Sequence, residues 1–222
     1  MPRLALFDLD HTLLSGDSDV LWCEFLMDQG LLDRATFEPR NAEMARRYRE
    51  ASVSAQDFCD FYVATLAGRT LAEWRPVCER FLHEVVAPLI PPAAQALVDA
   101  HRERGDRLVL TTATNRVLTE LTAQHLRIGD LIATEVEVLD GRCTGKTRGV
   151  LNMREGKVER LREWLQAQGL PATQLADAVF YSDSSNDLPL LCAVAEPVAV
   201  DPDPRLMAHA RGAGWRIVEL AR

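Results

Sequence analysis

The sequence predicts an α/β protein: a doubly wound parallel sheet with a helical domain inserted after its first strand. Three observations predict it. Short apolar runs of strand type alternate with helical patterns over most of the chain. From Val20 to about Leu82 that alternation stops, and apolar residues recur only at helical spacing. Acids, hydroxyls and a lysine fall where strands end or helices begin, which is where open α/β sheets bind ligands.

The elements follow in order. Leu4-Ala5-Leu6-Phe7 is a continuous apolar run, as a strand buried on both faces requires. It leads into Asp8-Leu9-Asp10-His11-Thr12. Two acids so close are costly to hold unless a cation or a proton lies between them. Asp8 therefore reads as a nucleophile and Asp10 as a general acid/base beside a magnesium ion, although a strand running into an acidic turn would look the same. Ser15-Gly16-Asp17-Ser18-Asp19 can cap a helix. The insertion then reads as helices over roughly 19–29, 34–50, 54–67 and 71–85. Pro88, Pro91 and Pro92 mark the return to the core, so the insertion is placed at 16–85 and the core at 1–15 and 86–222.

Residues 92–104 read as a helix, and Arg107 to Thr112 as a second buried strand followed by a helix to about Leu126. Ile132 to Leu139 is a strand that turns at Asp140-Gly141, a hairpin signal. A helix over 156–168, a strand over Ala178–Tyr181, a short helix over 188–195, and strands over Pro197–Val200 and Trp215–Leu220 complete the alternation. Gly141-Arg142-Cys143-Thr144-Gly145-Lys146-Thr147 ends like a P-loop but has three residues between its glycines where that motif needs four. It reads as a hairpin flap near the active site.

Composition narrows the function classes. With 222 residues, 47% hydrophobic and 26% charged, the chain reads as an ordinary globular protein. A net charge of −8 argues against nucleic acid or an anionic membrane as partner, and no protein partner is indicated. A small phosphorylated substrate stays open, because one local cation can outweigh the global charge. Cys23, Cys59, Cys78, Cys143 and Cys192 are odd in number and lack metal spacing. With no secretory signal and no apolar stretch of membrane-span length, a cytoplasmic protein with reduced thiols is expected.

Four stretches carry the chemistry: Asp8 to Thr12; Thr112-Ala113-Thr114-Asn115; Lys157 at a helix start; and Asp183-Ser184-Ser185-Asn186-Asp187 after a strand. Asp8 and Asp183 can offer carboxylates to magnesium, with Asp187 close behind. Lys157 balances the acids, and Thr112 can donate to phosphoryl oxygens.

In this order the four stretches resemble the motifs of the haloacid dehalogenase superfamily: an apolar strand into D-x-D-x-T, a strand into Ser or Thr, a lysine at a helix start, and a strand into D-x-x-x-D. The insertion resembles the helical C1 cap of its phosphoserine phosphatase-like subfamily IB. The resemblance implies a Rossmann-like core and a magnesium-dependent phosphatase acting through an aspartyl-phosphate. It implies Asp8 as nucleophile, Asp10 as acid and base, Thr112 (or Thr111) and Lys157 as phosphoryl partners, and Asp8, the Asp10 carbonyl and Asp183 as metal ligands. Asn186 matches an asparagine that holds the phosphoryl group.

Departures from the subfamily bear on substrate. Its amine-binding Glu, nine residues after the nucleophile, is here Asp17. Its cap arginine has Arg46, Arg47 and Arg49 as candidates. Its Ser-Gly-Gly turn is here Thr112-Ala113-Thr114, and His11 stands where a small residue is usual. His11, Asp17, Arg46, Arg49, Ala113 and Asn186 are thus the expected substrate contacts, and an amine-bearing substrate such as phosphoserine or histidinol phosphate is expected. A phosphotransferase on the same core, or a receiver-like phospho-acceptor domain, are the alternatives. The latter would lack an acid two residues after its aspartate.

Overall fold

The first strand, β1 (Leu4–Phe7), is followed by four helices: α1 (Ser18–Asp28), α2 (Arg34–Arg49), α3 (Ala55–Val63) and α4 (Leu71–Phe81). A π turn over Leu82–Val86 and a 3-10 turn over Ala87–Leu89 bring the chain back. The core continues with α5 (Pro92–Glu103), β2 (Arg107–Asn115), α6 (Arg116–His125), β3 (Asp130–Leu139), β4 (Arg142–Arg148) and α7 (Glu155–Ala167). It closes with β5 (Val179–Ser182), α8 (Leu188–Leu191), β6 (Glu196–Val200), α9 (Pro204–Ala213) and β7 (Arg216–Val218). The structure is a computed structural model that describes residues 2–50 and 52–220; the side chain of Arg49, an expected substrate contact, lies outside the described residues.

The strands form one sheet in the order β4-β3-β2-β1-β5-β6-β7. β1 is central, parallel to both β2 and β5. Alternation along β1 explains its apolar run. Ala5 and Phe7 join one core cluster, while Leu4 and Leu6 join the cluster on the opposite face. β5 repeats the pattern, with Val179 and Tyr181 on the first face and Phe180 on the second.

The sheet departs from the expected parallel arrangement at one edge. β4 runs antiparallel to β3, because only a tight turn at Asp140-Gly141 separates them and a parallel return needs a crossover. α9 is a helix that strand-and-turn spacing did not suggest, although its start is legible: Asp203 caps it by accepting from Arg205 N and Leu206 N, and Pro204 follows at the first helical position. β2 runs past Thr112 to Asn115, with an irregularity in its pairing between those two residues.

The helical insertion is a cap with an aromatic centre that continues into the core. Trp22 packs edge-on against Trp74 and Phe81, with ring centroids 5.6 and 5.2 Å apart. These rings belong to the same apolar cluster as Phe7 and Tyr181 of the sheet. Both indole N–H groups are satisfied: Trp22 donates to Thr65 Oγ1 and Trp74 to the Leu66 carbonyl.

The hairpin of β3 and β4 clasps this cap and takes no part in the catalytic cleft expected for it. Gln56 donates to Thr147 Oγ1, Thr147 Oγ1 donates to Asp60, Gly68 N donates to the Cys143 carbonyl, and Cys143 N to that of Arg69. Gly145, at φ +84°, allows the approach, since a Cβ there would lie 2.9 Å from Ala67 Cβ.

Candidate active site

Sheet order decides where the site lies. Phe7 pairs with Leu110 on one side and Tyr181 on the other. The residues just beyond, Asp8, Thr111-Thr112 and Ser182-Asp183, therefore leave three adjacent strands side by side. The chain winds outward in both directions from β1, so this is the switch point at which an open α/β sheet leaves a crevice.

Lys157 closes the crevice from below. Its Nζ donates to Asp8 Oδ1 and to Asp187 Oδ2, each at 2.7 Å. The lysine side chain is 3% exposed. Burial pulls its pKa down, but Asp187 and Asp8 outweigh that and hold it above the ordinary lysine range. Burial pushes Asp8 up to about 7 against the pull of Lys157, with Asp187 and Asp10 adding to the rise. Gly156 is what lets this turn form: a Cβ there would sit 2.1 Å from the Leu151 carbonyl oxygen. Asp187 Oδ2 also accepts from Ser182 Oγ at 2.7 Å. That oxygen is committed to Lys157 and Ser182, so Asp187 anchors the lysine from behind Asp8 and Asp183.

Asp183 faces Asp8 across Thr12, whose hydroxyl lies 3.3 Å from Asp8 Oδ2 and 3.2 Å from Asp183 Oδ1. One hydroxyl proton cannot serve both. Burial, then Asp8 and Asp187, raise the Asp183 pKa well above the carboxylate range. The resemblance to haloacid dehalogenases implies a divalent cation, and the donors fit one: hard carboxylate oxygens whose mutual repulsion a cation would relieve. Among the described residues no three His, Cys, Asp or Glu side chains converge on one point. An ion here would thus need a backbone carbonyl and waters to complete its shell.

Asp10 lies on the other wall. Its Oδ1 accepts from Ser18 N at 2.7 Å and its Oδ2 from Thr114 Oγ1 at 2.9 Å. Burial and the charge of Asp17 push it up to about 6, while its hydrogen bonds with Ser18 and Thr114 oppose the rise. Asp17 caps α1 by accepting from Asp19 N and Val20 N, and it also lines the cleft.

The inner cleft is small, about 50 Å³, and His11, Ala113 and Asn186 line it together with the acids above. His11 holds φ at +56°, and Asn186 Oδ1 accepts from Arg154 Nε at 3.2 Å. A wider cavity of about 580 Å³ opens beside it between α1, α2 and the start of α9, sharing His11, Asp17, Tyr48 and Asn186.

Two expected contacts are not brought in. Thr112 is fully buried; its hydroxyl accepts from Thr114 N, and the strand irregularity that follows presents Ala113 and Thr114 to the cleft in its place. Thr111 is likewise turned inward, accepting from Asn152 Nδ2. Arg46 points away on the exposed face of α2, paired with Glu43 and Glu50.

Tyr48 and Phe58, stacked with centroids 4.2 Å apart, form the cap's aromatic contribution to the inner cleft. Sequence reasoning missed Tyr48, yet its signal was present. Asn41, Ala45 and Tyr48 share a helical face, and Asn41 and Ala45 are buried, while Arg46 falls on the opposite face.

Comparison with known proteins agrees with this architecture. Residues 5–191 match the family of haloacid dehalogenase-like hydrolases. A histidinol-phosphatase of Neisseria meningitidis serogroup C is 37% identical over 219 residues, covering 98% of this chain and 99% of that protein. A phosphoserine phosphatase of Mycobacterium tuberculosis is 31% identical over 96% of this chain and 69% of its own length. A crystal structure from Bordetella pertussis Tohama I, of unknown function, superposes with a TM-score of 0.94 at 40% identity, covering all of both chains. A substrate-bound phosphoserine phosphatase shares the fold at a TM-score of 0.68 and 16% identity, over 94% of this chain and 90% of that one.

Proposed function

Because the chain belongs to the haloacid dehalogenase-like hydrolase family and is a phosphomonoester hydrolase with a helical cap, we propose that it works through an aspartyl-phosphate on Asp8, with magnesium, on a small amine-bearing phosphomonoester. The observation that carries this reading is the buried Asp8–Lys157–Asp187 bridge at the carboxyl end of the central strand. It holds one carboxylate at the switch point with a fixed cation beside it.

Asp8 attacks phosphorus while Lys157 offsets charge on the phosphoryl oxygens. Asp10 protonates the departing alkoxide, then takes a proton from the water that opens the aspartyl-phosphate. A pKa pushed up to about 6 suits a group that must both give and take a proton near neutrality. Ala113 and the Asn186 side chain contribute the phosphoryl pocket, and Thr112 shapes the turn that presents Ala113. A magnesium ion held by Asp8, the Asp10 carbonyl and Asp183 would supply further positive charge at the phosphoryl group. In this reading residues 16–85 act as the cap over the core of 1–15 and 86–222, excluding water while the leaving group departs. The five free cysteines suit a reducing cytoplasm.

Charge supports the amine. Asp8, Asp10, Asp17, Asp183 and Asp187 line the inner cleft against one lysine, and Glu24 joins Asp17 in the wider cavity where a leaving group would lie. His11 and Tyr48 offer that group a polar and an aromatic wall. The full-length similarity to a histidinol-phosphatase favours the same class of ester.

The test is phosphate release from histidinol phosphate, phosphoserine, sugar phosphates and an aryl phosphate, with magnesium and with chelator and no added acceptor. Magnesium-dependent turnover preferring an amine-bearing ester is expected. Preference for a sugar phosphate would overturn the substrate class, and full activity in Asp8→Asn would overturn the mechanism.

A further inference from the structure

Asp19 is a buried carboxyl on the cleft wall for which the chemistry above has no use. It is 3% exposed, and its Oδ1 has no hydrogen-bond partner among the described residues. Its Oδ2 lies 3.1 Å from Thr114 Oγ1. The same hydroxyl lies 2.9 Å from Asp10 Oδ2 and receives the Ser18 hydroxyl at 3.1 Å. Thr114 has one proton to donate and two carboxyl oxygens within reach. Both contacts are hydrogen bonds only if one of the two acids brings a proton of its own.

The surroundings decide which. Asp10 accepts a backbone N–H from Ser18 on its other oxygen, so both of its oxygens are served as a carboxylate. Among the described residues Asp19 has Thr114 alone, and the charges that face it, Asp17 and Asp10, are both acidic. An orphaned buried oxygen costs far less on a neutral carboxyl than on a carboxylate.

We propose that Asp19 is a positioning residue: a neutral carboxyl that donates its proton to Thr114 Oγ1, so that the Thr114 hydroxyl donates to Asp10 Oδ2 and fixes the carboxyl that exchanges protons with the leaving group and water. Burial followed by the charges of Asp17 and Asp10 raises the Asp19 pKa well above the carboxylate range, in agreement with the geometry. The role rests on the reading of Asp10 as acid and base, whereas the protonation of Asp19 does not.

The experiment therefore has two arms on the magnesium-loaded protein. In the first, infrared difference spectra at neutral pH compare the wild type with Asp19→Asn. A protonated-carboxyl C=O band lost in the variant is expected, and identical spectra in that region overturn the proposal whether or not the enzyme turns over any ester. In the second, Asp19→Ala and Thr114→Val are expected to lower kcat by about 10- to 100-fold, the cost of a misplaced group, with a smaller change in KM. Thr114→Ser and Asp19→Asn, which restore the hydroxyl and a neutral donor to it, should each recover most of that loss. A rise in KM in Asp19→Asn as large as in Asp19→Ala would mean that a charged carboxylate binds substrate, and would overturn the proposal. Wild-type protein inactive on every ester would count against the phosphatase reading alone and leave the infrared result standing.

Discussion

Replacing Lys157 by methionine keeps most of the stem volume and removes the only cation that lines the inner cleft among the described residues. Its two hydrogen bonds, each 2.7 Å, join side chains exposed by 3% for Lys157, 10% for Asp8 and 4% for Asp187. Solvent therefore cannot take over the stranded carboxylates. Removing one partner of so buried a bridge costs about 3–5 kcal/mol. For a chain of this size that is a fall in Tm of about 6–20 °C. The loss carries a pH signature. Burial already raises Asp8 to about 7, and loss of the lysine raises it further. A carboxyl whose folded pKa exceeds its unfolded value lets the folded state bind more protons, so stability falls as pH rises from about 4 through the folded value. Wild-type Asp8 loses stability over the same span up to about 7, so the gap that Asp8 contributes between Lys157→Met and wild type should open above about pH 7 and widen until the variant's Asp8 has ionised. Adding Asp187→Asn should recover part of the loss, since it removes one stranded charge. Thermal melts without divalent cations across this range decide the matter. A gap that is constant with pH, or below about 3 °C at every pH, would refute the buried bridge as drawn.

Three further outcomes follow from the same geometry. Without divalent cations the wild type should lose stability as pH climbs from about 4 to about 7, because burial raises both Asp8 and Asp10; added magnesium should raise Tm strongly at high pH and hardly at all near pH 5, as read by thermal shift with and without chelator. Gly156→Ala forces a Cβ onto the Leu151 carbonyl, so a loss of about 1–3 kcal/mol in denaturant melts is expected, with kcat reduced because Lys157 moves with the turn. Arg46→Ala should leave KM unchanged, whereas Tyr48→Ala should raise it, since only Tyr48 reaches the cleft; steady-state kinetics on the preferred ester separate the two.

The core was readable because its signals are local. Leu4 to Phe7 announces a doubly buried strand, and Asp140-Gly141 announces the turn that joins β3 to β4. Asp203-Pro204 is an equally local signal for α9, a capping residue followed by proline at the first helical position. The expected position of Thr112 failed for a different reason. A strand irregularity re-aims side chains without leaving a mark in residue type, so the hydroxyl facing the cleft is that of Thr114. Charge alone points to Arg46, while the helical period of Asn41, Ala45 and Tyr48 places a different residue on the inner face.

By itself the sequence determined the fold class, the helical insertion and the chemical kinds of group that gather at the strand ends, because periodicity and turn chemistry act over a few residues. Only the tertiary structure decided which acid holds the lysine, which pair shares Thr12 and which pair shares Thr114. Asp8 and Lys157 are 149 positions apart, and Thr114 is 95 from Asp19. The protonation and orientation of each carboxyl depend on the burial and partners that sheet order brings to it, and these are properties of neighbours in space.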